Sequence, residues 1–464
     1  MEILRKKYQG KKILVVGLGL QAGGVGIARF FAELDAKVTV TDKKPEKILS
    51  PSVEKLKNLG ITFHLGEHII SDFQNADIIF KGPSVRWDMP EILAAQKKGT
   101  PIEMELSFVA SFFPGKIIGI TGTRGKSTTT YLIFNLLKLS GLPVLLGGGL
   151  PGISTIDYLK TATDKDYLVA ELSSWALSGF HQKKISPHIA VLTNIYPDHL
   201  NYYKGLEDYS YDKQAIFMYQ KKEDYVIMNK SVLDSAPQFF ITRESHPAFG
   251  AVPSKVKKIA SASSFSLFTK NDFPFKLNYL KGEHNLENAA AALKVANILK
   301  IEEEKAANII ANFKGLPFRE EIRGEKDNVI FVNDTTSTTP IATIKAINSF
   351  QDFPIYLILG GNSKNLPYDE LIEKLNNVKK IILLAGSFTD ETLSLLKEKY
   401  ESKLIGPYTD LEKAINEAYR LGKEEKRKCY LLFSPGATSF AMFDNEFHRG
   451  REFNRITESI INNV

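Results

Sequence analysis

Residues 117–128 read Ile-Ile-Gly-Ile-Thr-Gly-Thr-Arg-Gly-Lys-Ser-Thr, an apolar strand that turns on glycines and continues as the helical pattern Thr129–Leu139. A strand tied to a helix by so short a turn commits this part of the chain to an α/β unit. The glycines let backbone N–H groups curl toward an anion, and the helix N-terminus that follows favours negative charge. Lys126 can reach terminal phosphates and the Ser127 hydroxyl can bind Mg²⁺, so Gly122, Thr123, Arg124, Gly125, Lys126, Ser127 and Thr128 read as a nucleotide-phosphate loop. It is the short form Thr-Gly-Thr-x-Gly-Lys-Ser, because Ile120 stands where the longer pattern has its first glycine. A ligand-free strand–helix turn is the bland alternative, and it gives Lys126 and Ser127 nothing to do.

Short β-branched runs alternate with helical patterns along the whole chain, which predicts α/β architecture with mostly parallel sheets. Strand candidates include Lys12–Gly17, Lys37–Thr41, Asp77–Phe80, Lys116–Thr121, Asp166–Glu171, His188–Thr193, Asn328–Asn333, Ile355–Gly360, Lys380–Ala385 and Cys429–Ser434. Phe112-Phe113-Pro114-Gly115 and Phe313-Lys314-Gly315-Leu316-Pro317 read as joints, which divides the 464 residues into 1–113, 114–314 and 315–464. A net charge of +7 is mild for this length and favours anionic small molecules over nucleic acid as ligands. The one cysteine, Cys429, excludes an internal disulfide and a cysteine-based metal site and suits a reducing cytoplasm. No apolar stretch approaches about 18 residues and the N-terminus has no signal-like core, so neither membrane nor export is expected.

Gly17-Leu18-Gly19-Leu20-Gln21-Ala22-Gly23-Gly24 follows the first strand and opens a helix. The second strand ends in Thr41-Asp42, an acid at the spacing of a ribose or base contact. The glycine spacing is irregular, so a nucleotide-bearing ligand, a nicotinamide cofactor and a plain turn all stay open at this point. Downstream, Tyr167–Ala170 ends in Glu171-Leu172-Ser173-Ser174, and a carboxylate at a strand end beside a phosphate loop is placed to hold Mg²⁺. His188–Thr193 runs into Asn194-Ile195-Tyr196-Pro197-Asp198-His199, which puts His199 at a strand end too, although a lone histidine is more often structural. By spacing alone Lys213 is a helix-surface lysine, and His284 and Asn285 are capping residues of the Ala-rich helix 289–298.

Together, Thr121–Ser127, Glu171–Ser174, Asn194 with Asp198-His199, Lys213, His284-Asn285, Gly315-Leu316-Pro317-Phe318-Arg319, Asn333-Asp334 and Ser434-Pro435 resemble the Mur ligase family of peptidoglycan synthesis. The likeness spans essentially the whole chain. The Gly-Leu-Gly-Leu domain, Leu359-Gly360-Gly361-Asn362-Ser363-Lys364, Ser439 and Phe447 are similar to the members that add glutamate. Folylpolyglutamate synthases share the ATPase core but lack an N-terminal domain of this kind.

The resemblance implies three α/β domains: a Rossmann-like UDP-substrate domain over 1–113, a central P-loop ATPase with a mostly parallel sheet over 114–314, and a Rossmann-like amino-acid domain over 315–464. It implies ATP-dependent joining of glutamate to UDP-N-acetylmuramoyl-L-alanine through an acyl phosphate, in the cytoplasm, by a monomer with no nucleic-acid or membrane partner. A carboxylate is a poor electrophile and repels the phosphoryl group, so phosphorylation must supply a leaving group and cations must bring the two anions together. By the same resemblance Lys126 and two Mg²⁺ ions provide that charge. Ser127 and Glu171 hold one ion; His199 and Lys213 hold the other, Lys213 as a carbamate formed with CO₂. Asn285, Arg319 and Asp334 join the loop in binding ATP. Gly17, Leu18, Gly19, Leu20, Gln21, Asp42 and Lys43 seat the uridine diphosphate, with Ser173 and Ser174 nearer the muramoyl part. Thr338, Lys364, Ser439 and Phe447 bind glutamate, whose two carboxylates need a cation and hydrogen-bond donors.

Two departures from the family pattern stand out. After Asn333-Asp334 the chain reads Thr335-Thr336-Ser337-Thr338-Thr339, where the family has Ser-Lys-Ala-Thr-Asn, so Thr336 replaces a lysine. Gly147-Gly148-Gly149 lacks the asparagine common near the muramoyl pocket. A hydroxyl does not replace a charge, so D-glutamate is favoured while L-glutamate or another acidic amino acid stays open. A nicotinamide-dependent oxidoreductase is the remote alternative.

Overall fold

The computed structural model describes residues 1–20, 22–196, 202–235, 264–280, 282–364, 366–439, 442–443 and 445–462. They form two compact units, one of Met1–Lys276 with Glu283–Ala311 and one of Leu277–Gly282 with Asn312–Val464.

The first unit carries two sheets. Strands β1 (Lys12–Val16), β2 (Lys37–Asp42), β3 (Thr62–Leu65), β4 (Ile78–Lys81) and β5 (Ile102–Glu103) lie in the order β3-β2-β1-β4-β5, every pairing parallel. The order reverses between β1 and β4, so the ligand crevice expected of such a sheet lies at their carboxyl ends. Helix α1 (Gly23–Ala32) follows the glycine turn and buries Val25, Ile27, Phe30 and Phe31 against the sheet, Phe31 packing on Phe80 and Phe108.

The second sheet comprises β6 (Lys116–Thr121), β7 (Val144–Gly148), β8 (Tyr167–Glu171), β9 (Ile189–Leu192), β10 (Tyr225–Asn229) and β11 (Ser264–Phe268). Its order is β11-β10-β9-β6-β8-β7 and every pairing is parallel. β9 is buried at every residue, as strands covered on both faces must be. Helices α2 (Lys126–Leu139), α3 (Ser174–Lys183), α4 (Leu206–Met218) and α5 (Glu283–Ile298) follow. The buried run Ala289–Ala292 lets α5 pack close beside α2.

The second unit holds β12 (Glu321–Lys326), β13 (Val329–Asn333), β14 (Ile355–Gly360), β15 (Lys380–Leu384), β16 (Leu404–Tyr408) and β17 (Cys429–Phe433), in the order β12-β13-β17-β14-β15-β16. Only β12 in this sheet runs antiparallel to its neighbour. Helix α6 (Glu446–Asn462) closes the described chain. Cys429 lies buried on β17, and burial pushes its thiol up to about 11.

The α/β expectation holds in all three sheets; of the strands read from the sequence, Lys116–Thr121 and Ile355–Gly360 are present with the same bounds and the others with ends shifted by one residue. Among the described residues no helix is long and apolar enough to cross a membrane.

Candidate active site

β6 lies between β8 and β9, with Ile120 level with Glu171 and Thr121 level with Leu192. The segments that leave these three strands therefore meet at one edge of the sheet. Gly125 takes φ +79° at the start of α2, where a Cβ would stand 2.5 Å from Asn288 Oδ1. Only glycine meets both demands without strain. The loop is laced to the segment after β9. Asn194 Oδ1 accepts from the Arg124 N–H at 2.8 Å, Thr193 Oγ1 donates to the Arg124 carbonyl at 2.6 Å, and the Thr123 N–H donates to the Asn194 carbonyl at 3.0 Å. Thr123 Oγ1 lies 3.1 Å from the Tyr209 hydroxyl. Ser127 Oγ donates to Glu171 Oε2 at 2.6 Å, so these two residues meet as expected. Lys126 Nζ curls back onto the carbonyls of Gly122 (3.0 Å) and Thr123 (3.1 Å). Thr128 lies half-buried in the first turn of α2.

Lys213 differs from its spacing. On α4 it is 1% exposed, and its Nζ donates to the Gly122 carbonyl at 2.9 Å and to Thr121 Oγ1 at 3.3 Å. The lysine sits under the phosphate loop because α4 packs its Lys213 face inward. Its neighbour Asp212 accepts from the Tyr203 hydroxyl at 3.0 Å, and burial raises this carboxyl to about 7. Asn285 lies inside the first turn of α5, where its Oδ1 accepts from Asn288 Nδ2 at 3.0 Å. Asn288 Oδ1 in turn accepts from Thr129 Oγ1 at 3.1 Å, which joins Asn285 to the helix that opens at Lys126. His199 lies outside the described residues.

At the first sheet, Asp42 turns its carboxylate onto the glycine loop itself. Oδ2 accepts from the Leu18 and Gly19 N–H groups at 2.9 and 3.2 Å, and Oδ1 from the Lys44 N–H at 2.9 Å. Gly17 begins this turn, Leu18 is buried beneath it, Leu20 and Lys43 are exposed beside it, and Gln21 is outside the described residues. Ser173 caps α3, its Oγ accepting from the Ala176 N–H at 3.1 Å, and Ser174 is buried behind it.

In the second unit Asp334 leaves β13 and is buried. It accepts from Ser434 Oγ at 2.7 Å and from the Glu320 N–H at 3.1 Å. Burial lifts Asp334 to about 6, and burial plus the Asp334 charge lifts Glu320 to about 7. Arg319 is exposed on the preceding turn, between Phe318 at φ +65° and Glu320 at φ +46°. Two left-handed non-glycine residues around one arginine are costly, and such strain gathers at functional positions. Thr336 Oγ1 donates to the Phe318 carbonyl at 2.9 Å, so the residue in the lysine position serves this turn. Lys364 Nζ donates to Thr338 Oγ1 at 2.9 Å. Ser439 is buried and its hydroxyl has no hydrogen-bond partner among the described residues. Phe447 meets Phe318 edge to face at 6.2 Å.

Residues 11–103 match the Mur ligase MurD-like N-terminal domain, and residues 120–296 match the Mur ligase middle domain. Over 97% of its length the chain is 36% identical to the UDP-N-acetylmuramoylalanine--D-glutamate ligase of Roseiflexus sp., covering 99% of that protein. The chain belongs to the Mur ligase family. Relatives of the same name from Acetivibrio thermocellus and Borreliella burgdorferi are 33% and 31% identical, with 98% and 100% of both chains covered. Among solved structures, UDP-N-acetylmuramate-alanine ligase MurC from Thermotoga maritima matches with a TM-score of 0.54 at 18% identity, over 97% of this chain and 100% of that one, a likeness of fold alone.

ATP use follows from membership of the Mur ligase family, and the groups around the loop fit it. The loop offers N–H groups at a helix start, and Ser127 with Glu171 offers a hard oxygen pair of the kind that binds Mg²⁺. Among the described residues no three His, Cys, Asp or Glu side chains gather as a metal cage. Thr193 and Asn288, which lace the loop to its neighbours, were not among the expected site residues. The Asn285-x-x-Asn288 spacing on one helix face was the available signal for Asn288.

Proposed function

We infer that this Mur ligase joins D-glutamate to UDP-N-acetylmuramoyl-L-alanine, converting ATP to ADP and phosphate, in the cytoplasmic synthesis of peptidoglycan precursors. The observation that carries the reading is end-to-end likeness, at 31–36% identity, to relatives that bear this activity as their name.

The chemistry follows from the charges. A carboxylate oxygen of the UDP substrate attacks the γ-phosphorus of ATP, and ADP leaves. The glutamate amine then attacks the acyl carbon, its nitrogen loses a proton, and phosphate departs. Lys126, held on the loop carbonyls, would offset the repulsion between the two anions of the first step. Ser127 and Glu171 would hold one Mg²⁺, and His199 with Lys213 a second; a bound Mg²⁺ supplies Lewis-acid charge stabilisation. Lys213 would serve as a carbamate formed with CO₂, which turns an amine into an anion that a cation can accept. Its place beneath Gly122 supports that role.

In this reading 1–113 seats the uridine diphosphate on Gly17–Gln21, Asp42 and Lys43, with Ser173 and Ser174 toward the muramoyl part. Residues 114–314 bind ATP through 122–128 and Asn285. Residues 315–464 supply Arg319 and Asp334 to ATP and Thr338, Lys364, Ser439 and Phe447 to glutamate. The protein works as a monomer.

Phosphate release and product mass, measured with UDP-N-acetylmuramoyl-L-alanine and each glutamate enantiomer, test the reading. Release with the D-form supports it, release with only the L-form changes the amino acid, and no release with either overturns it. For the carbamate, Lys213→Ala should lose turnover and regain part of it with added short-chain carboxylic acids.

A further inference from the structure

Arg449, in the first turn of α6, is 1% exposed and heads the fully buried side chains in size among the described residues. Its Nε donates to Thr335 Oγ1 at 2.9 Å and its Nη2 to the Thr335 carbonyl at 2.9 Å. Nη1 and Nη2 share the Ala437 carbonyl, each at 3.3 Å. The Phe433 ring covers the guanidinium at 5.7 Å. Each of these acceptors is neutral, and among the described residues Glu446 is the acid whose field opposes the cost of burying the guanidinium. Burial lowers its pKa to about 10, which leaves it charged at neutral pH. A desolvated cation with no ion-pair partner among the described residues is expensive, which points to a use.

The two segments it joins are those that leave β13 and β17. Thr338, three residues beyond Thr335, bears the Lys364 contact. Ser439, two residues beyond Ala437, bears the unpartnered hydroxyl. Thr438 between them is tied to Asn362 by paired backbone bonds of 3.0 and 2.9 Å. The guanidinium fork reaches Thr335 through Nε and Nη2 and Ala437 through both Nη atoms at a fixed spacing; a lysine, whose donors all sit on one nitrogen, cannot reproduce that separation.

We propose that Arg449 is a positioning residue for the incoming amino acid, fixing the Thr338 and Ser439 segments against each other and lending them a positive charge that selects a dicarboxylate. The inference rests on the reading in which those segments bind glutamate.

The test compares wild type with Arg449→Lys and Thr335→Val in the full-length protein, reading KM for D-glutamate, KM for the UDP substrate, kcat and Tm. Arg449→Lys is expected to raise the glutamate KM about tenfold, because one segment loses its donor, while the KM of the UDP substrate moves by less than about twofold. Thr335→Val, which removes one acceptor and leaves the charge, should raise the glutamate KM by a smaller factor, and Thr335→Ser should restore it. A wild type that turns over while the folded variants share its glutamate KM overturns the inference alone. A wild type that turns over with no acidic amino acid overturns the reading and the inference together.

Discussion

The Ser127 hydroxyl donates to Glu171 at 2.6 Å, joining the first turn of α2 to the end of β8. The bond sets two oxygens, one from a helix start and one from a strand end, where a small cation takes few protein ligands. Glu171→Gln keeps an acceptor for Ser127 and removes the charge. It is expected to lower kcat about 100-fold, to leave Tm nearly unchanged, and to shift the Mg²⁺ dependence to higher concentration. Phosphate release across a Mg²⁺ titration checks this; an unshifted curve removes Glu171 from the ion's surroundings.

Gly125→Ala puts a Cβ 2.5 Å from Asn288 Oδ1 at a backbone φ of +79°. The strained conformation alone costs about 1–3 kcal/mol. Denaturant unfolding should show a loss of at least that size, along with weaker nucleotide binding. Adding Asn288→Ala should recover only the steric part, which a double-mutant cycle can separate.

Glu320 and Asp334 give the second unit a pH dependence with a definite sign. Both carboxyls sit above their ordinary values of 4.5 and 3.8, at about 7 and about 6, chiefly through burial. The folded state therefore holds protons that the unfolded chain releases, so their contribution is fully present below about pH 4 and is lost as pH rises through 6 and 7. Glu320→Gln keeps an oxygen for the Ser349 hydroxyl, now 3.0 Å from Glu320 Oε1, and removes one ionisation. The variant should exceed wild type in stability at pH 8 by about 1–2 kcal/mol and lose that advantage at pH 5. Urea melts at the two pH values decide it, and equal differences at both would contradict it.

Lys364 donates to Thr338 at 2.9 Å and is otherwise exposed. If it holds a glutamate carboxylate, Lys364→Met should raise the D-glutamate KM by about 10–100-fold, the value of one charge-assisted contact, without changing the KM for ATP. Initial rates with each substrate varied in turn make the comparison.

How far the fold could be read from residues depended on where a strand lies in its sheet. The interior strands β1, β6, β14 and β17 are nearly unbroken apolar runs and declare themselves. The edges do not. β12 reads Glu-Ile-Arg-Gly-Glu-Lys and β16 Leu-Ile-Gly-Pro-Tyr, with the charges, glycine and proline that edge strands tolerate. The phosphate loop was legible because each of its residues answers a local demand of the turn. The burial of Lys213, a residue that the family resemblance singled out, and of Arg449 was not, since each is covered by what a distant segment brings over it. Asp42 was found at the right strand end, yet its carboxylate braces its own loop, a choice fixed by two N–H groups that spacing cannot orient.

Cys429 offers a practical return. The only sulfhydryl in the chain lies at 0% exposure on β17 and titrates near 11, so neutral-pH maleimide chemistry should pass it by. A pair of cysteines introduced on the surface would then accept fluorophores cleanly, with no need to engineer away a competing native thiol.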